Sequence, residues 1–151
     1  MRLLIQRVSQ AAVTIENHLH SSIKQGLLVF IGIGKSDTAD IIPRMATKLI
    51  ELRIFEDTAG KMNLSLQEIK GEVLLVSQFT LFADCRRGRR PDFIEAADPA
   101  VAEQLYSDFA KELSFRGIQV KTGIFAADMQ ISLINDGPVT IFLDSDLIIK
   151  G

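Results

Sequence analysis

The sequence predicts an α/β fold: a β-sheet or open barrel with two main helices packed on it, within one domain of residues 1–151. Three observations predict it. Aliphatic, strand-like runs recur from Leu3 to Leu143, and only two segments carry apolar residues at helical spacing. No repeat, low-complexity stretch or linker divides the chain. A chain of 151 residues can bury roughly two-thirds of the surface its unfolded form exposes, enough for one core.

Leu3 to Val13 mixes aliphatic and polar residues and reads as a strand, and Asn17 to Ser22 is polar and reads as a turn. Gly26 to Gly34 is a continuous apolar run bounded by glycines, which suits a strand buried on both faces. Asp37 to Asp40 offers capping residues for a helix of about a dozen residues. Pro43 is tolerated only in a first turn, so Asp40 is the better cap. Ile41, Met45, Leu49 and Leu52 then form the buried face. Arg53 to Phe55 suggests a short strand, Glu56 to Gly60 a turn, and Glu72 to Phe82 a second clear strand. Ala83 to Asp98 lacks apolar periodicity and reads as a long loop, a length that is often functional. Asp98-Pro99 opens the second helix, with Val101, Leu105, Phe109 and Leu113 inward and Gly117 at its end. Ile118–Ile124, Met129–Ile134 and Val139–Leu143 complete a strand-rich second half.

Composition excludes several function classes. Apolar residues make up 47% and charged residues 24%, which describes a globular rather than a disordered chain. A net charge of -2 creates no global attraction to nucleic acid, so no DNA partner is expected and any RNA contact needs a local patch. The single cysteine, Cys85, excludes an internal disulfide and fits a reducing compartment. The apolar run after Met1-Arg2 is too short for a signal peptide, and Gly26–Gly34 falls far below a membrane span. The expected location is the cytoplasm, with no membrane partner.

Three apparent motifs lead nowhere. Gly32-Ile-Gly34-Lys35-Ser36 resembles part of a phosphate loop, but Val29 stands where that loop needs its first glycine. His18 and His20 have strand spacing but lack the further ligands a metal requires. Cys85 has no nearby histidine to activate it. Two other segments are harder to explain by packing alone. Ser77-Gln78-Phe79-Thr80 ends an apolar run with three hydrogen-bonding side chains in four positions. Asn135-Asp136-Gly137-Pro138 places Gly-Pro between two strand-like runs, where the backbone has to turn. Such polar and main-chain features at strand ends suit a small-molecule or ester-binding site. Arg86, Arg87, Arg89 and Arg90 concentrate positive charge in an otherwise acidic chain, as a solvated loop or as a contact for phosphates.

These segments together resemble the D-aminoacyl-tRNA deacylases, formerly D-tyrosyl-tRNA deacylases. The resemblance runs over almost the whole chain: Met1–Val8, Leu52–Glu56 with Gly60–Leu64, Ser77–Leu81, Gly88–Pro91, Ala127–Gln130 and Asn135–Thr140. Cys85 stands where a threonine is expected and Asp92 where a small polar residue is usual, both beside the arginine loop.

The resemblance implies a homodimer that hydrolyses the ester of D-aminoacyl-tRNA, and of glycyl-tRNA, with no metal or cofactor. It assigns Gln78, Phe79, Thr80 and Ser77 to the reaction. Hydrolysis also needs the ester carbonyl polarised, and the backbone N–H groups around Phe79 and Thr80 are the candidates for an oxyanion hole, with Gln78 as a positioning donor. Thr80 has no neighbouring base, so activation of water by the substrate's ribose hydroxyl is preferred to attack by Thr80. Gly137 and Pro138 reach into the other subunit's pocket and exclude L-substrates by main-chain contact. Met129 lines the pocket, Asn135 belongs to the Gly-Pro motif, and Arg7 holds that element. Arg86, Arg87, Arg89 and Arg90 bind tRNA phosphates. A non-selective esterase using Thr80 and a non-catalytic tRNA-binding module are the competing readings. Against the module stand one tyrosine and no tryptophan for base stacking.

Overall fold

A computed structural model describes residues 1–149. Residues 150 and 151, the end of the expected 1–151 domain, lie outside the described residues. The strands are β1 (Arg2–Ile15), β2 (His18–Ile23), β3 (Gly26–Gly32), β4 (Phe55–Glu56), β5 (Met62–Leu64), β6 (Glu72–Ser77), β7 (Gln119–Thr122) and β8 (Gln130–Asp144). The helices are α1 (Ile42–Glu51), α2 (Pro99–Phe115) and α3 (Ser145–Ile149). The main sheet runs β2-β1-β3-β6-β7, with β8 on the other side of β1, and it curls towards a barrel. Its β1 pairings are antiparallel, whereas β3-β6 and β6-β7 are parallel.

The period of two along β3 fixes the layers. Leu27, Val29 and Ile31 join a core with Met45 and Leu49 of α1 and Phe109 and Leu113 of α2. Leu28 faces the opposite way, into a second cluster with Val8, Val13, Leu74 and Val76. The expectation of a strand buried on both faces therefore holds. Met45, Leu49, Phe109 and Leu113 are fully buried, each contributing about 1.5–3 kcal/mol by removal from water. Gly117, at φ +85°, ends α2, and Ile118 N–H donates back to Leu113 O at 3.1 Å. No described helix is long and apolar enough to cross a membrane.

Several elements differ from the sequence expectation. The turn before β2 comprises only Glu16 and Asn17, both at positive φ, so His18 and His20 are exposed residues of a strand. Asp40 sits in a 3-10 turn, Ala39–Ile41, rather than capping α1, which starts at Ile42 with Pro43 in its first turn. On α2, Val101 is exposed; Ala102 and Tyr106 complete the inner face instead. The run from Glu72 stops being a strand at Ser77, where the pairing with Ile31 ends, and continues as a 3-10 turn, Phe79–Phe82. The two strands expected at Met129–Ile134 and Val139–Leu143 are one strand, β8. It is continuous because β1 pairs with it on both sides of the Gly-Pro segment, with Val8 opposite Asn135 and Gln6 opposite Thr140. Residues 136–139 thereby bulge out opposite the single residue Arg7. The helix α3 has no counterpart in the expectation.

Candidate active site

A cavity of about 760 Å³ opens beyond the carboxyl ends of the parallel strands β3, β6 and β7. Ligand sites in open α/β sheets favour this position, because the chain leaves the sheet there in different directions. Ile33 and Lys35 follow β3; Ser77 ends β6 and Gln78 and Phe79 follow it; Phe125, Asp128 and Met129 follow β7. The fourth wall is the segment Phe93–Pro99 with Ala102 of α2. That wall is fastened by Lys35 N–H to Glu95 O at 3.0 Å and Ala97 N–H to Ile33 O at 2.9 Å. Phe93 meets Phe79 edge to face at 4.9 Å between centroids, so the two rings shape one side of the opening. A Cβ on Gly123 would lie 2.5 Å from Met129 Sδ, so glycine there lets Met129 fold over the end of β7.

The polar end is built from main chain. Gln78 N–H donates to Ile31 O at 2.8 Å, the last link to the sheet. The first bond of the following turn is donated by Leu81 N–H, so those of Phe79 and Thr80 precede it and have no acceptor within the turn. Gln78 Nε2 donates to Thr80 Oγ1. Among the described residues no carboxylate or imidazole is hydrogen-bonded to the Thr80 hydroxyl.

Of the residues expected in the site, Ser77, Gln78, Phe79 and Met129 share this cavity, and Thr80 adjoins it through Gln78. Gly137 and Pro138 do not line it; they are exposed on the β8 bulge, joined by a cis peptide bond. Arg7, 5% exposed, grips that bulge: Nε donates to Asp136 O and Nη1 to Ile54 O, each at 2.6 Å. Asn135 is exposed at the start of the bulge.

The arginines lie on a loop closed by two hydrogen bonds between Asp84 and Asp92, at 2.9 and 3.1 Å. Arg86 forms an ion pair with Asp84 at 2.5 Å, and its guanidinium draws the Asp84 carboxyl down to about 2. Arg86 is thus partly neutralised, whereas Arg87, Arg89 and Arg90 are exposed and form no ion pair among the described residues. His18 and His20 join no group of three or more potential metal ligands among the described residues.

Sequence reasoning missed Lys35, Phe93, Asp98, Ala102 and Phe125, which come to the cavity from four separate segments. The length of the Ala83–Asp98 loop was the one signal that pointed towards part of them.

Fold and cavity define a small α/β protein with a largely apolar cavity at the carboxyl ends of its parallel strands. Residues 4–144 match the family model described as D-Tyr-tRNA(Tyr) deacylase. The chain is 55% identical over 145 residues to the D-aminoacyl-tRNA deacylase of Thermotoga petrophila, covering 96% of this chain and 97% of that protein. It is 53% identical over 148 residues to the same-named protein of Desulfotalea psychrophila, covering 98% and 99%. Among solved structures, "c-Myc DNA Unwinding Element Binding Protein" superposes with a TM-score of 0.90 at 38% identity, covering 95% of this chain and 98% of that one. The chain belongs to the D-aminoacyl-tRNA deacylase family, and it is an enzyme of the hydrolase class.

Proposed function

We propose that the chain, a single domain of residues 1–151 acting as a cytoplasmic homodimer, hydrolyses the ester between a D-amino acid and the 3'-terminal ribose of tRNA. It accepts the glycyl ester, which has no side chain to reject, and leaves L-esters intact. Beside family membership, one observation carries this reading. The apolar cavity and the N–H groups of Phe79 and Thr80 adjoin at the end of β6.

The ester carbonyl lies towards those N–H groups, and the aminoacyl group enters the cavity beside Phe79 and Met129. Water attacks the carbonyl carbon as the neighbouring ribose hydroxyl accepts its proton and relays its own towards the ester's ribose oxygen. The oxyanion is held by the two N–H donors, each worth about a hundred- to a thousandfold in rate. The C–O bond to the ribose then breaks, the ribose oxygen takes up the proton, and free amino acid leaves. Gln78 and Thr80 position the turn and the water; Ser77 anchors it to the sheet.

Chirality is read at the α-carbon, because a pocket gripping the side chain would not accept many D-residues while rejecting their mirror images. Gly137 and Pro138 supply the blocking main chain, presented to the second subunit's cavity. Their exposure away from the cavity of their own chain and the grip of Arg7 on Asp136 support that role. Arg87, Arg89 and Arg90, with Arg86, meet the tRNA backbone.

Release of radiolabelled tyrosine from D-tyrosyl-tRNA and L-tyrosyl-tRNA, side by side, tests the proposal. Rapid release from the D-ester alone is expected, with no acyl-Thr80 adduct in acid-quenched reactions. Equal release with a trapped adduct would establish a non-selective esterase. Binding of both without release would establish a tRNA-binding module.

A further inference from the structure

The Phe79–Phe82 turn is joined to the sheet by a single backbone bond at Gln78, so something else has to hold its far end. That end has an unusual need. Leu81 O would continue the turn by accepting from Asp84 N–H, but Asp84 N–H is taken by Asp92 O at 2.9 Å. The orphaned carbonyl is met from β1. Arg2 Nη1 donates to Leu81 O at 2.9 Å, and Arg2 Nε donates to Asp144 Oδ2 at 3.0 Å. The guanidinium carbon also lies 4.3 Å from the centroid of the Phe82 ring. Gly34 seats the same ring: a Cβ there would stand 2.7 Å from a Phe82 ring carbon. One side chain thus ties the last two residues of the turn to the start of β1 and the end of β8. A planar guanidinium can donate to two acceptors in its plane while stacking its face on a ring; an ammonium cannot.

We propose that Arg2 is a positioning residue for the hydrolysis. It fixes the Phe79–Phe82 turn so that the N–H groups of Phe79 and Thr80 stay aimed at the ester. The inference rests on the reading that this turn carries the reaction. Displacement of such donors by about 1 Å can cost on the order of a hundredfold in rate, whereas substrate binding by the apolar cavity is little affected.

The experiment measures kcat and KM on D-tyrosyl-tRNA, with melting temperature, for Arg2→Lys, Arg2→Ala, Gly34→Ala and Gln78→Ala. Arg2→Lys is expected to lower kcat about tenfold or more, with KM within about twofold of the parent and a folded melting transition. Ethylguanidinium added to Arg2→Ala is expected to restore part of kcat, and Gly34→Ala to lower kcat by pushing Phe82. Parent-like kcat in folded Arg2→Lys, with kcat reduced in Gln78→Ala, would overturn the role of Arg2 and spare the turn. Parent-like kcat in both would overturn the assignment of the reaction to the turn. A lower melting temperature with unchanged kcat would make Arg2 a purely structural clamp and likewise overturn the proposal. If Arg2→Ala does not fold, the Arg2→Lys result alone decides.

Discussion

Tyr106 shows how a single buried hydroxyl makes stability depend on pH. Its O–H donates to Leu75 O on β6 at 2.9 Å, and burial pushes the phenol up to about 12. The fold therefore favours the neutral phenol. That contribution is complete below the ordinary value near 10 and is lost as pH rises through about 12. The difference between about 10 and about 12 corresponds to a loss of about 3 kcal/mol. Urea midpoints are expected to fall between pH 10 and 12, and to fall less in Tyr106→Phe; identical slopes would show that other groups carry the effect. At this scale the sequence was uneven as a guide. Ser77, Gln78 and Phe79 stood out because polar side chains ended an apolar run, and they do line the cavity. Lys35, Phe93 and Phe125 did not, because nothing local distinguishes a cavity-lining phenylalanine from a core one. Arg2 is marked by its contacts alone.

Among elements, the β3-β6 pair sets the geometry on which the site depends. Gly26 lies opposite Glu72, and a Cβ at Gly26 would fall 1.9 Å from Glu72 O. Two hydrogen-bonded backbones cannot part locally without losing their ladder. Gly26→Ala is expected to cost at least about 3 kcal/mol in urea denaturation. A cost below about 1 kcal/mol would mean that the strands separate there more easily than their pairing implies. The apolar run ending in Gly34 announced β3 because residues facing both ways had to be apolar. The same logic overextended β6. Apolar residues recur among polar ones through Phe82, but the pairing partner ends at Ile31, and the turn finds its seat on Gly32 and Gly34 instead. The split expected in β8 was likewise a local inference; β1 bridges it.

For the whole molecule, the question is how a chain of net charge -2 meets a polyanion. Arg87, Arg89 and Arg90 are exposed on a loop that leads directly into Phe93 at the cavity, so the positive charge and the cavity are neighbours along the chain. Replacing Arg87 and Arg89 by Gln is expected to weaken tRNA binding and to flatten the plot of log K against log salt by about 1.4–1.8 in slope, two phosphates' worth. An unchanged slope would remove the loop from the interface. The α/β class, the faces of β3, the polar end of β6, the concentration of arginines and the family resemblance were all legible in the chain before it was folded. Each of these is carried by residue type and spacing along the chain. The tertiary structure alone decided that Ser77–Phe79 and Met129 share one cavity while Gly137-Pro138 stands apart on a bulge held by Arg7. It also decided that Arg2 reaches the turn at Leu81. Those relations join residues far apart in sequence, and they exist only once strand pairing fixes which chain ends meet.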